Sequence, residues 1–160
     1  MLLKMKVFGL TIDPFTNVPI VILKDEEEKN ALPVWIGVLE ASAIASELEK
    51  VQFSRPMTHD LLKQVLKHIG ATVNKIEVTD LKDNVYYATI YMTGKDGEFS
   101  VDSRPSDAIA LALRMGAPIY VESVVLDKSK NMELKNGDKA KDASSSLDDF
   151  SQTDFGKYKM

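Results

Sequence analysis

Two of the three arginines in this chain stand in the same tripeptide, Ser54-Arg55-Pro56 and Ser103-Arg104-Pro105. Each tripeptide is followed by an aspartate (Asp60, Asp107), an apolar run and Gly-Ala (Gly70-Ala71, Gly116-Ala117). Three arginines are few against 17 lysines. A guanidinium fork binds carboxylate or phosphate bidentately, which an ammonium cannot do. The other side chains able to do chemistry lie close by: His59 beside Asp60, Glu40 upstream, and Asp102, Ser103 and Ser106 around the second arginine. Two chemistries fit these types. Arg55, Arg104, Ser103 and Ser106, near helix starts whose free N–H groups favour anions, are candidate phosphate ligands. Asp60, Asp102, Asp107 and Glu40 are oxygen donors suited to a divalent cation such as Mg or Mn, whose bound water would be the nucleophile. His59 is a candidate general acid or base, with Asp60, Asp102, Arg104 and Asp107 as the other candidate catalytic residues. Plainer roles stay open. Arg55 and Arg104 can pair internally with Asp60, Asp102 or Asp107, and each aspartate can serve its helix dipole, at about 0.3–1 kcal/mol. There is no glycine-rich phosphate loop, no nucleophile elbow and no HExxH. His68, late in its helix, is expected to be exposed or a partner of the C-terminal dipole.

The elements that must position these groups follow from pattern and punctuation. Leu3 to Ile12 and Val18 to Lys24 predict a strand pair around Asp13, Pro14 and Asn17, and Leu32 to Gly37 a third strand. A helix is expected from about Glu40 to Lys50, and a second from Thr58, as its N-cap, to Ile69, stopped by Gly70. Leu61, Leu62, Val65, Leu66 and Ile69 are its expected buried stripe. Strands follow near Val73 to Thr79, Val85 to Met92 and Phe99 to Asp102. A third helix runs from Pro105 to Met115, apolar nearly all round and therefore central, and a last strand from Pro118 to Glu122. Trp35 is expected as a core or interface aromatic, and Tyr86, Tyr87, Tyr91 and Phe99 as fillers of one sheet face rather than a base-stacking platform. The fold class is α/β, an α+β-like mixed sheet with about three helices in one compact domain. The repeated tripeptide points to an internal strand-helix duplication.

Composition sets the outer limits. A chain of 160 residues, 44% apolar and 28% charged, is an ordinary globular domain that can bury a core unaided. With no cysteine, disulfide frameworks, thiolate zinc sites and thiol nucleophiles are excluded. No run of 18 apolar residues occurs and MLLKMKVFGL lacks a signal-peptide core, so no membrane association and a cytoplasmic location are expected. The formal charge is -4, which opposes bulk attraction to nucleic acid. From Asp127 onward the chain turns polar, with seven acids against seven bases, so the body, residues 1–126, carries the whole deficit (17 acidic, 13 basic). Residues 127–160 are expected to be a weakly structured tail holding at most one short helix.

The segments LPVWIGVLEASAIASELE, RPMTHDLL, LKDNVYYATI and VDSRPSDAIALALRMGAPIYV, in this order, resemble the bifunctional nuclease domain family of bacteria and plants. The resemblance covers about Met1 to Leu126. It implies a compact α/β fold and hydrolysis of RNA or DNA phosphodiesters, since plant members are described as cutting both. The positions that match are Glu40, Arg55, Pro56, Thr58, His59, Asp60, Asp102, Ser103, Arg104, Pro105, Ser106 and Asp107. Two alternatives of other classes stand beside a nuclease: a non-catalytic module gripping a phosphorylated or carboxylated ligand, and a structural homo-oligomer.

Overall fold

The computed structural model describes residues 1–137. Seven strands and four helices follow in the order β1 (Leu2–Ile12), β2 (Pro19–Asp25), β3 (Ala31–Trp35), α1 (Val38–Leu48), α2 (Thr58–His68), β4 (Thr72–Lys82), β5 (Val85–Gly94), β6 (Gly97–Ser103), α3 (Pro105–Met115), β7 (Ile119–Glu122) and α4 (Ser123–Gly137). All strands join one mixed sheet, ordered β3-β2-β1-β7-β4-β5-β6, in which only the β4–β7 pair is parallel. The α/β expectation therefore holds, with a fourth helix added.

The sheet is made by hairpins whose turns are written locally. At Asp83 and Asn84, both at positive φ (50° and 63°), the β4–β5 connection takes the left-handed geometry that short polar residues tolerate. Between β1 and β2, Asp13 accepts the Phe15 N–H through Oδ1 and the indole Nε1–H of Trp35 through Oδ2, at 2.9 and 3.0 Å. Trp35 is thereby fixed at the edge, still 38% exposed.

Helix α3 is the centre of the molecule. Ala108, Ile109, Ala110, Leu111 and Ala112 are all at most 1% exposed, and the helix packs on α1, α2, β4 and β5. Its all-round apolar surface is thus used on several sides, as expected. Pro105 opens it at the first helical position, where a missing N–H costs nothing, and Gly116 closes it at φ 67°.

Four expectations need correction. Thr58 is the first residue of α2 rather than its cap, and Met57 stands at the N-cap. In α2 only Leu66 is buried, while Leu61, Leu62, Val65 and Ile69 are 40–60% exposed, because α2 leans on α3 with the edge of its apolar stripe and nothing among the described residues covers the rest. The two Ser-Arg-Pro segments do not begin equivalent strand-helix units: α3 follows β6 directly, whereas α2 follows α1 and a strand-free connection. The aromatics of β5 also divide rather than share a face. Tyr86 turns inward, its hydroxyl donating to the Pro33 carbonyl at 3.1 Å, while Tyr87 and Tyr91 lie opposite, under the ammoniums of Lys82 and Lys75.

The polar stretch after Leu126 begins as structure. Helix α4 carries Val125 and Leu126 into the core, buries Ser129 to 2% exposure, and ties Lys128 to Asp80 at 2.6 Å. The sequence boundary at residue 127 falls inside this helix, and the rest of the expected tail, with Phe150, Phe155 and Tyr158, lies outside the described residues. Among the described residues no helix is long and apolar enough to cross a membrane.

Candidate active site

The starts of α1, α2 and α3 converge, and each helix carries an acid at its third residue: Glu40, Asp60 and Asp107. Carboxylates favour this position because the first-turn N–H groups lack helical partners and the dipole is positive there. The three acids nevertheless end in different places.

Asp107 joins two partners. Its Oδ1 lies 2.9 Å from His59 Nε2 on α2, and its Oδ2 accepts from Arg104 Nε at 2.8 Å. Burial works to raise the Asp107 pKa, but the hydrogen bonds from Arg104 and His59 outweigh it and hold the carboxyl below its ordinary value. Arg104, the N-cap residue of α3, uses Nη1 to reach Glu40 Oε1 on α1 at 2.7 Å. Glu40 is held low first by its own backbone N–H and then by Arg104. The result is one hydrogen-bonded chain, His59–Asp107–Arg104–Glu40, crossing three helix starts. These four residues line a pocket of about 310 Å³ with Leu39, Ser42, Ala43, Ser46, Phe53, Met57 and Thr58.

Gly37 makes room for the last link. A Cβ at this position would sit 2.0 Å from Glu40 Oε2, so only glycine lets the carboxylate fold back over the helix start. The need is for space, since φ -73° is open to any residue.

Asp60 goes elsewhere. Its Oδ2 caps the Met57 N–H at 3.0 Å, and its Oδ1 receives Arg114 Nε at 2.8 Å, which holds its pKa down. Arg114 was not among the expected functional residues, yet it is the one buried arginine among the described residues, its side chain 3% exposed. It also donates to the Ala110 and Ala43 carbonyls at 3.0 and 2.9 Å, and so binds α1, α2 and α3 together behind the pocket. The signal for it was available: a charge inside SDAIALALRMG, on a helix apolar on every side, must find a partner.

The remaining candidates stay apart from the pocket. Asp102 pairs with Thr89 in the β5–β6 ladder, while its neighbours Val101 and Ser103 pair with Ile90 and Ala88, the residues facing α3. Strand alternation therefore turns Asp102 to the opposite face, where it is exposed. Ser103 Oγ donates to the Arg104 carbonyl at 2.8 Å, and Ser106 is buried at the second residue of α3. Arg55 is exposed, with no hydrogen bond or ion pair among the described residues. The reason lies in the imperfect echo: two more residues separate Arg55 from its aspartate than separate Arg104 from Asp107, so Arg55 stays in the loop while Arg104 caps its helix. His68 is exposed at the end of α2, as expected.

The four carboxylates expected to hold Mg or Mn are thus not gathered. Asp102 is on the far side of the sheet, Asp60 is engaged by Arg114, and the Arg104 guanidinium lies between Glu40 and Asp107. Among the described residues no group of three or more His, Asp or Glu is placed to hold a metal ion. The arrangement does not fit that ligand set.

The site is a helix-capped pocket holding a His–Asp pair and an arginine, on one face of a seven-stranded mixed sheet. The sequence model of the bifunctional nuclease domain matches residues 21–133, and the chain belongs to that family. An uncharacterized protein of Mycobacterium tuberculosis is 37% identical over 123 residues, covering 77% of this chain and 73% of its own length. Bifunctional nuclease 1 of Arabidopsis thaliana is 30% identical over 107 residues, 64% of this chain and 33% of the plant protein. Bifunctional nuclease 1 of Oryza sativa subsp. japonica is 28% identical over 105 residues, 63% and 32% of the two lengths. The chain thus aligns with about a third of each plant relative.

Proposed function

We propose that this chain is a nuclease that hydrolyses phosphodiesters of RNA, DNA or both, with His59, Asp107, Arg104 and Glu40 as its working groups. The observation that carries the reading is the His59–Asp107–Arg104–Glu40 chain lining one pocket at three helix starts. The plant relatives' name supplies the reaction class. In this reading Asp107 orients the imidazole through Nε2, and Nδ1 takes a proton from water as the water oxygen bonds to phosphorus. The bond from phosphorus to the leaving oxygen then breaks, and that proton passes to the leaving oxygen. Arg104 commits Nε and one Nη1 hydrogen to carboxylates; the guanidinium's other three hydrogens are left for non-bridging oxygens. Its side chain is 63% exposed, so they are within reach of a ligand. Charge limits the affinity. Two carboxylates face one arginine, offset by three helix dipoles, so binding is expected to be modest and salt-sensitive.

The test is cleavage of end-labelled single-stranded RNA and DNA by rigorously purified protein in EDTA, Mg and Mn. Cleavage that disappears in Arg104→Ala/Asp107→Ala supports the reading, and the comparison of EDTA with Mg and Mn decides whether a cation takes part. No cleavage of either polymer in all three conditions overturns it. Stabilisation by phosphate-bearing ligands without turnover would favour the non-catalytic module instead.

A second reading, self-association, has one observation in its favour: Leu61, Leu62, Val65 and Ile69 form a continuous exposed apolar stripe on α2. Light scattering of the wild type and of Leu61→Lys/Val65→Glu tests it. A dimer that becomes a monomer in the variant supports it, and a wild-type monomer overturns it.

A further inference from the structure

The pocket has two unlike walls. The first carries Glu40, His59, Arg104 and Asp107, and the second is made by Leu39, Phe53 and Met57, which are 78%, 37% and 40% exposed. None of the three belongs to the hydrophobic core or to the partly buried residues packed against it. Met57 is the N-cap of α2, a position where Ser, Thr, Asp or Asn stabilises a helix and an apolar side chain does not. Leu39 is the second residue of α1 and lies almost fully in solvent. Phe53 belongs to the connection between α1 and α2, with no place in the hydrophobic core. A phosphodiester group has no use for such a wall, whereas the flat face of a nucleobase does.

Resting on the nuclease reading above, we infer that the site takes one unpaired nucleotide, its base against Phe53, Leu39 and Met57 and its phosphate on Arg104. The volume agrees. A space of about 310 Å³ is at the small end of pockets for small ligands and suits a single nucleotide rather than a duplex segment. A base in a duplex has both faces stacked and its edge paired, so it reaches such a wall only by leaving the helix, which single strands do at far smaller cost. Aromatic stacking is tolerant of base identity, so the wall selects strandedness rather than sequence. Stacking on this wall uses the base face alone, so the wall itself does not distinguish RNA from DNA.

The experiment compares cleavage of one labelled sequence as a single strand, as a duplex and as a single strand with a run of abasic nucleotides, by wild type and by Phe53→Ala. In parallel, AMP and ribose 5-phosphate are titrated by thermal shift. The inference expects the single strand to be cut at least about tenfold faster than the duplex or abasic strand. It also expects Phe53→Ala to raise KM about ten- to a hundredfold, the range for loss of one base–aromatic stack. The variant should keep the wild-type Tm, and Phe53→Trp should restore KM. Equal cleavage of all three substrates would leave the nuclease reading standing and overturn the base wall. No cleavage of anything, with AMP bound at least tenfold tighter than ribose 5-phosphate, would keep the base wall and overturn the nuclease. Equal affinity for the two ligands, or a changed oligomeric mass in Phe53→Ala with KM unchanged, overturns the inference and makes this wall an interface between copies.

Discussion

Asp60→Ala should destabilise the protein far more than a first-turn acid on a surface helix would. The carboxylate is the charged partner of Arg114, whose side chain is 3% exposed against 34% for Asp60. Removing one member of a buried ion pair costs about 3–5 kcal/mol, because the other charge is left uncompensated. Two features reduce that figure. Asp60 is partly in water, and Arg114 retains hydrogen bonds to the Ala110 and Ala43 carbonyls. Loss of the cap on the Met57 N–H works in the other direction. A cost of about 2–3 kcal/mol results, which for a chain of this length is a Tm drop of about 4–12 °C by circular dichroism. Arg114→Met removes the buried charge and keeps the volume, but it leaves the partly exposed Asp60 carboxylate and the Ala110 and Ala43 carbonyls without their donor, so it should cost about 1–3 kcal/mol. The double variant should then cost about as much as Asp60→Ala alone, so that the coupling equals the Arg114→Met cost, about 1–3 kcal/mol. A Tm change below 1 °C for Asp60→Ala, or additive single effects, would refute the reasoning and return Asp60 to the set of free acids available to a ligand.

Gly37→Ala should swing the Glu40 carboxylate away from Arg104, since the new methyl would sit 2.0 Å from Glu40 Oε2; cleavage should fall several-fold while Tm moves by less than about 3 °C. Leu111→Ala, at a residue 1% exposed in the middle of α3, should cost about 2–5 kcal/mol by urea unfolding with its m-value unchanged. Asp60, Asp107 and Glu40 all have depressed pKa values. Their contribution is therefore full above the ordinary carboxylate range, about pH 4, and fades as pH falls through the lower folded values. Tm should hold between pH 6 and pH 5 and decline below about pH 4, and Asp60→Asn should flatten that decline; an unchanged slope in the variant would remove Asp60 from the account.

Punctuation made the helices legible. Pro105, Gly70 and Gly116 mark boundaries of α2 and α3 through fixed φ or left-handed geometry, and those boundaries fall where the marks put them; α1, which carries no such mark, lies two residues earlier than expected. Helix α4 escaped because SVVLDKSKNMELKNG has no continuous apolar stripe. It docks through Val125 and Leu126 and through Ser129, a small hydroxyl met by Tyr86 Oη at 3.3 Å. The stripe on α2 was read correctly as apolar, yet periodicity says which face is apolar and nothing about what covers it. At the site, Arg104, Asp107, His59 and Glu40 were recognisable by type, while their partition from Asp60 and Asp102 was not. For Asp102 the clue was present: Phe99 and Val101, two apart on β6, mark the parity that faces the helices, and Asp102 falls on the other. For Asp60 it was not, because the choice between His59 and Arg114 as neighbours depends on how α2 and α3 cross, a property of packing rather than of either segment.

The central claim is that the His59–Asp107–Arg104–Glu40 chain does the chemistry and the outlying acids do not. Single-turnover cleavage of a labelled single strand by wild type, His59→Ala and Asp102→Ala tests it most directly. The account predicts a loss of about a hundredfold or more for His59→Ala, within the range for a general acid–base residue, and a rate within twofold of wild type for Asp102→Ala. A His59→Ala protein that cuts at the wild-type rate, or an Asp102→Ala protein that does not cut at all, would contradict it.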